Sequence, residues 1–127
     1  MEDFVTFEIA KKLKEKGFIL DYNLYGYKPV YSDVNTIKLI WNIGAYEIDY
    51  FGENIPCPTI AQVLKWLREE KKLYILATDV LIKDNIKWDF QIDNLNTTNI
   101  IYESRLIYNS YEEATLAGIE YVINNLI

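Results

Sequence analysis

The chain has 127 residues and a formal net charge of −6; half of its residues are hydrophobic, and it has no histidine and one cysteine, Cys57. This length and apolar content suit a single core and one α+β domain over residues 1–127, and argue against disorder. The missing imidazole excludes Ser-His and Cys-His nucleophile pairs and any zinc site that needs histidine, one cysteine excludes an internal disulfide, and the acidic balance opposes a phosphate backbone unless the bases cluster.

The opening MEDFVTFEIAKKL has two acids at its front and no long apolar run, so it does not read as a signal peptide. No stretch approaches the ~20 apolar residues of a bilayer span. A single thiol fits a reducing compartment, so a cytoplasmic protein with no membrane association is expected.

The first helix is marked by Thr6 as cap and Glu8 in the first turn, with Val5 placed to staple onto Ala10. Ile9, Ala10 and Leu13 form its inner stripe. Gly17 supplies a left-handed stop, and Phe18 is expected to fold back on Leu13. Lys11, Lys12, Lys14 and Lys16 read as a solvated face.

Residues 18–56 lack helical periodicity. Within them TIKLIWNIGAYEIDYF contains two β-rich runs, 36–42 and 46–51, around Asn42-Ile43-Gly44-Ala45, which read as a hairpin.

The segment CPTIAQVLKWLREE, 57–70, raises a sharper question. Thr59 and Gln62 form a capping box, and Ile60, Val63, Leu64 and Leu67 follow the spacing of one buried helical face. A hairpin follows, LYILATDVLI and IKWDFQID around Asp84-Asn85, in the order of a recognition helix and wing. A recognition helix offers Arg, Lys, Asn or Gln to base edges from its N-terminal half, and here that half offers Thr59 and Gln62 alone. The favoured reading is a helix that covers the 73–93 hairpin. Lys65, Trp66 and Arg68, on or beside its outer face, are the candidate binding residues.

NLNTTN reads as a loop, and 100–108 as a further strand ended by Asn109. Ser110 and Glu113 form a second capping box at the start of the last helix. That helix is apolar around most of its girth, with Leu116, Ile119 and Ile123 on one side, so it is either deeply docked or shared with a second copy.

Catalytic sets are missing. Asp89, Gln91 and Asp93 share one face of a strand, but alternating polar residues opposite an apolar face are the default for a half-buried sheet. Cys57 precedes a helix but has no histidine to act as base. The five glycines match no phosphate-binding pattern. No cofactor and no metal are expected.

FEIAKKLKEKGF (7–18), PTIAQVLKWLREEKKLYI (58–75) and YNSYEEATLAGIEYVI (108–123) together resemble a family of short uncharacterised proteins of Bacteroidetes genomes and their prophages. The resemblance covers roughly a third of the chain and implies a cytoplasmic protein carried by mobile elements, with no assigned activity and no functional residue to carry over.

The expected fold is α+β, a mainly antiparallel sheet covered on one face by about three helices. The expected function is a non-enzymatic accessory protein that binds an unknown protein partner or itself as a homodimer. The alternative is a nucleic-acid-binding regulator with a winged-helix-like segment at 58–93, although the charge makes nucleic acid the weaker choice.

Overall fold

The computed structural model describes residues 3–18, 26–42 and 55–127. The chain divides into two compact units, Met1–Thr59 and Ile60–Ile127. The fold is α+β as expected, but with two three-stranded antiparallel sheets instead of one.

The first unit holds α1 (Phe7–Glu15), β1 (Gly26–Asp33), β2 (Thr36–Asn42) and the short β3 (Ile55–Pro56), with strand order β2-β1-β3. Both ends of α1 follow from its sequence. The Thr6 hydroxyl accepts from the Ile9 amide at 3.3 Å. At the other end Gly17 has φ 86°, and the amides of Gly17 and Phe18 donate to the carbonyls of Lys14 and Leu13. This is the paired closure of a Schellman ending, and it needs the left-handed residue that glycine supplies without strain. Val5, Ile9, Ala10, Leu13 and Phe18 are all buried.

The hairpin of this unit turns at Val34-Asn35, where the Asn35 amide donates to the Asp33 carboxylate at 2.9 Å. That hydrogen bond, followed by one with the Thr36 side chain, holds the Asp33 carboxyl below its ordinary pKa. β2 thus pairs with the strand before it, through a turn that the sequence reading passed over. Of the hairpin expected from 36–51, the run 36–42 is a strand, and 46–51 lies outside the described residues.

The second unit holds α2 (Ile60–Trp66), β4 (Leu73–Ile82), β5 (Asn85–Asn94), β6 (Asn99–Glu103) and α3 (Tyr111–Asn125). α2 does not end in an ordinary cap. Residues 67–71 form a wider π turn, closed by the Lys72 amide on the Leu67 carbonyl, and Lys72 itself is left-handed at φ 56°. The π turn then meets β4.

Ile60, Val63 and Leu67 are buried as their spacing requires, while Leu64 is half-buried. The expectation that this helix covers the 73–93 hairpin needs correction. The helix lying across β4 and β5 is α3, and α2 packs against α3. The apolar girth of α3 follows from these two neighbours: Ala114, Gly118, Ile119, Val122 and Ile123 are all buried. Gly118 lets the helix come close to the sheet, since a Cβ there would lie 2.7 Å from Ile75 Cγ2 and 3.2 Å from a ring carbon of Phe90.

The β4–β5 turn is set one residue earlier than Asp84-Asn85. Lys83 and Asp84 carry positive φ, 48° and 66°, between the closing pair Ile82 and Asn85. Two left-handed central residues match the twist of a two-residue hairpin.

Candidate protein-binding surface

The strand expected over 100–108 is interrupted, and the interruption builds the most distinctive surface of the second unit. Adjacent apolar residues, Ile100-Ile101 and Leu106-Ile107, break the alternation that a regular strand needs. The first break is a bulge: Tyr102 pairs with Ile92 and Ile100 with Asp93, leaving Ile101 as the extra residue.

The second break is larger. Ser104 donates its amide to the Phe90 carbonyl at 2.9 Å, and its hydroxyl takes the Phe90 amide at 3.2 Å. The side chain thus supplies an acceptor to the strand, and the backbone is free to leave. Arg105 turns it away at φ 55°. Tyr108 returns it, exchanging both hydrogen bonds with Trp88 at 2.9 and 2.7 Å. Leu106 and Ile107 ride on this excursion, 60% and 48% exposed.

Aromatic side chains flank it. Phe90, buried beneath α3, lies 5.9 Å from Tyr102 and 6.0 Å from Tyr108 between ring centres, tilted by 37° to each. Tyr102 stacks on Tyr121 of α3 at 3.8 Å and 14°. Trp88 meets Tyr111 edge-on at 5.7 Å. Trp88, Tyr102, Tyr108 and Tyr121 are half-buried and Tyr111 is exposed. Burial first, then the charges of Tyr102 and Glu120, raise the Tyr108 phenol above its ordinary pKa.

The start of α3 fixes one end of this surface. The Ser110 hydroxyl accepts from the Glu113 amide at 3.1 Å, and the Glu113 carboxylate takes the Asn109 amide at 3.0 Å. The reciprocal box therefore forms, reaching one residue further back than the cap itself.

Of the residues singled out in the sequence, Lys65 and Arg68 are exposed, with Arg68 on the π turn, and Trp66 is half-buried with the Lys71 ammonium 5.4 Å above its ring. Leu116 is half-buried, whereas Ile119 and Ile123 are buried in the single chain, which withdraws both from any surface offered to a second copy. The sequence reading missed Tyr102, Leu106, Ile107, Tyr108 and Tyr121. The signal was the failed alternation in IIYESRLIY together with the tyrosine surplus.

On the opposite face of this sheet the acidic pair is engaged locally. Thr78 donates to Asp89 at 2.5 Å, and Gln91 donates to Asp93 at 3.1 Å. Among the described residues no cluster of three metal-ligating side chains forms, and no helix is long and apolar enough to cross a membrane. Cys57 is buried, 1% exposed, and burial raises its thiol pKa. A protonated, enclosed thiol is a poor nucleophile.

No family model matches the chain, and the comparisons with curated proteins and with solved structures likewise gave no match.

Proposed function

We propose that the protein is a non-enzymatic accessory protein that works by binding another protein through the edge formed by β6, the 105–107 excursion and the adjoining flank of α3. The observation that carries this reading is the exposed Leu106-Ile107 pair, held out by Ser104 and Tyr108 beside half-buried tyrosines. A partner would find apolar anchors next to rings that bury large area and still offer a hydroxyl for hydrogen bonding. The engagement of the acids and the enclosure of Cys57 favour binding over catalysis. Carriage by mobile elements rests on the resemblance of the three segments alone.

The test is capture from a native-host extract by wild-type protein and by Leu106→Asp with Ile107→Asp. The reading expects one or more proteins retained by the wild type and lost by the variant, at an unchanged unfolding midpoint. Retention of the same proteins by both would overturn it.

A further inference from the structure

β4 ends its sheet on the side away from β6, and among the described residues no strand and no backbone hydrogen bond meets its outer edge. The ladder fixes which groups that edge offers. The Leu95 amide donates to the Lys72 carbonyl at 2.9 Å, and the β4–β5 register runs unbroken from Leu73 to Ile82. Bonded pairs alternate along an antiparallel ladder, so the even-numbered residues of β4 bond β5. The odd-numbered ones, Ala77, Asp79 and Leu81 among them, turn their amides and carbonyls outward. A long open edge is ordinarily blunted by lysine, proline or a bulge. β4 has none of these, and its one charge is Asp79. Burial marks the open half: Leu73 and Ile75 are buried, whereas Asp79, Leu81 and Ile82 are exposed. Leu81 and its cross-strand partner Ile86 are 71% and 61% exposed, on the same face as Ile75, which α3 covers.

We propose that two copies of this chain join at the outer edges of β4, antiparallel about a two-fold axis at Leu81, so that their three-stranded sheets become one. Charge selects both the occupant and the register. Centred on Asp79, self-pairing would set carboxylate against carboxylate. Centred on Ala77 or Val80, it would set Asp79 against Ile75 or Leu81. Centred on Leu81, it sets Asp79 opposite Lys83 of the second copy, twice over, just past the strand end where a long side chain reaches. Asp84 then falls opposite Thr78, whose hydroxyl is already given to Asp89, and Lys87 is held by Asn109 at 2.7 Å. The same register closes the exposed apolar residues on one another. Ile86, Leu81, Leu81 and Ile86 form a row across the joined strands on one face, and Val80 meets Ile82 on the other. The opposite edge of each sheet, with Leu106 and Ile107, stays open, so self-pairing is independent of the partner binding proposed above.

The experiment is sedimentation equilibrium of the full chain over micromolar concentrations at low salt. The wild type gives a particle of twice the 15.0 kDa chain mass. Leu81→Lys sets two ammonium groups at the axis and gives a monomer that keeps its cooperative thermal transition. Asp79→Lys and Lys83→Asp each turn two attractions into repulsions and weaken association about tenfold. The two together restore it, because the exchanged charges meet again. A 15.0 kDa particle at every concentration would overturn the proposal, as would a dimer that persists in Leu81→Lys. A double variant no tighter than the single ones would also overturn it, since the register rests on that pair. If the wild type is monomeric and Leu81→Lys loses a protein that the wild type retains from host extract, the edge belongs to a partner's strand instead.

Discussion

Gly118 and Ile75 approach so closely that a Cβ on the glycine would lie 2.7 Å from the isoleucine Cγ2. The helix therefore rests on the sheet at a point where only hydrogen fits. Gly118→Ala sets two effects against each other. Alanine in a helix interior gains about 0.8–1 kcal/mol over glycine. Overpacking a buried contact costs about 1–3 kcal/mol. Phe90, also within reach at 3.2 Å, is buried and leaves little room to give, so the second effect wins. Gly118→Ala is expected to lose about 1 kcal/mol in urea unfolding, and Gly118→Val more. A stabilised alanine variant would mean that helix and sheet separate easily.

The interior position of Ile119 yields a second prediction. It is fully buried in the single chain, on the helix that packs against β4, β5 and α2. Ile119→Glu would bury a charge with no partner, a cost of several kcal/mol. The variant is expected to lose its cooperative thermal transition. Leu116→Glu, at a half-buried position, is expected to keep its fold. A folded Ile119→Glu protein that merely changed mass in sedimentation would instead place this helix against a second copy.

Tyr31 gives a prediction about alkaline pH. Its hydroxyl donates to the Val5 carbonyl at 2.5 Å, tying β1 to the entry of α1. Burial, then the charge and hydrogen bond of Cys57, push its pKa up to about 12. Burial raises the Cys57 thiol as well, against a smaller opposing hydrogen bond from Tyr31. A group whose folded pKa exceeds its unfolded value adds stability that is complete below the unfolded pKa and is lost as pH rises through the folded one. Unfolded thiols titrate at about 8.5 and phenols at about 10. Stability should hold to about pH 8.5, then fall, most steeply between about 10 and 12. Tyr31→Phe should flatten the upper part of that fall and lose about 1 kcal/mol at neutral pH with the hydrogen bond. Urea midpoints measured across this range decide it, and an unchanged slope in Tyr31→Phe would clear Tyr31 of the role.

Helix ends were the most legible feature of the sequence, because a cap is a local contract between residues three or four apart. Thr6, Gly17, Ser110 and Glu113 act where their spacing put them. Burial of Ile60, Val63 and Leu67 was legible for the same reason. What they pack against was not, since periodicity identifies a buried face without naming its neighbour. One long-range choice, α3 across β4 and β5, moved α2 from the sheet to a helix. The Val34-Asn35 turn was hidden because Asp33 makes it through a side-chain hydrogen bond, without a glycine. The binding edge was hidden because 105–107 leaves the strand by means of one serine hydroxyl, which composition does not reveal.

That serine carries the last prediction. The Phe90 amide donates to Ser104 Oγ inside the second unit, and Ser104 is itself buried. Ser104→Ala leaves the Phe90 amide without this acceptor, a loss of about 1–3 kcal/mol. The functional effect should exceed the thermodynamic one. Four residue steps, from 104 to 108, span the distance that two, from 90 to 88, span on β5, and the surplus is what projects Leu106 and Ile107. Without the hydroxyl, a backbone carbonyl of this strand becomes the available substitute, and taking it shortens the excursion. Amide hydrogen exchange should show Phe90 losing protection in Ser104→Ala, and Leu106 should lose solvent access to a cysteine-directed probe when compared as Leu106→Cys in both backgrounds. Ser104→Thr keeps the hydroxyl and should restore both readouts. If Ser104→Ala leaves Phe90 protected and Leu106→Cys equally reactive, the excursion is held by the Trp88–Tyr108 pairing alone.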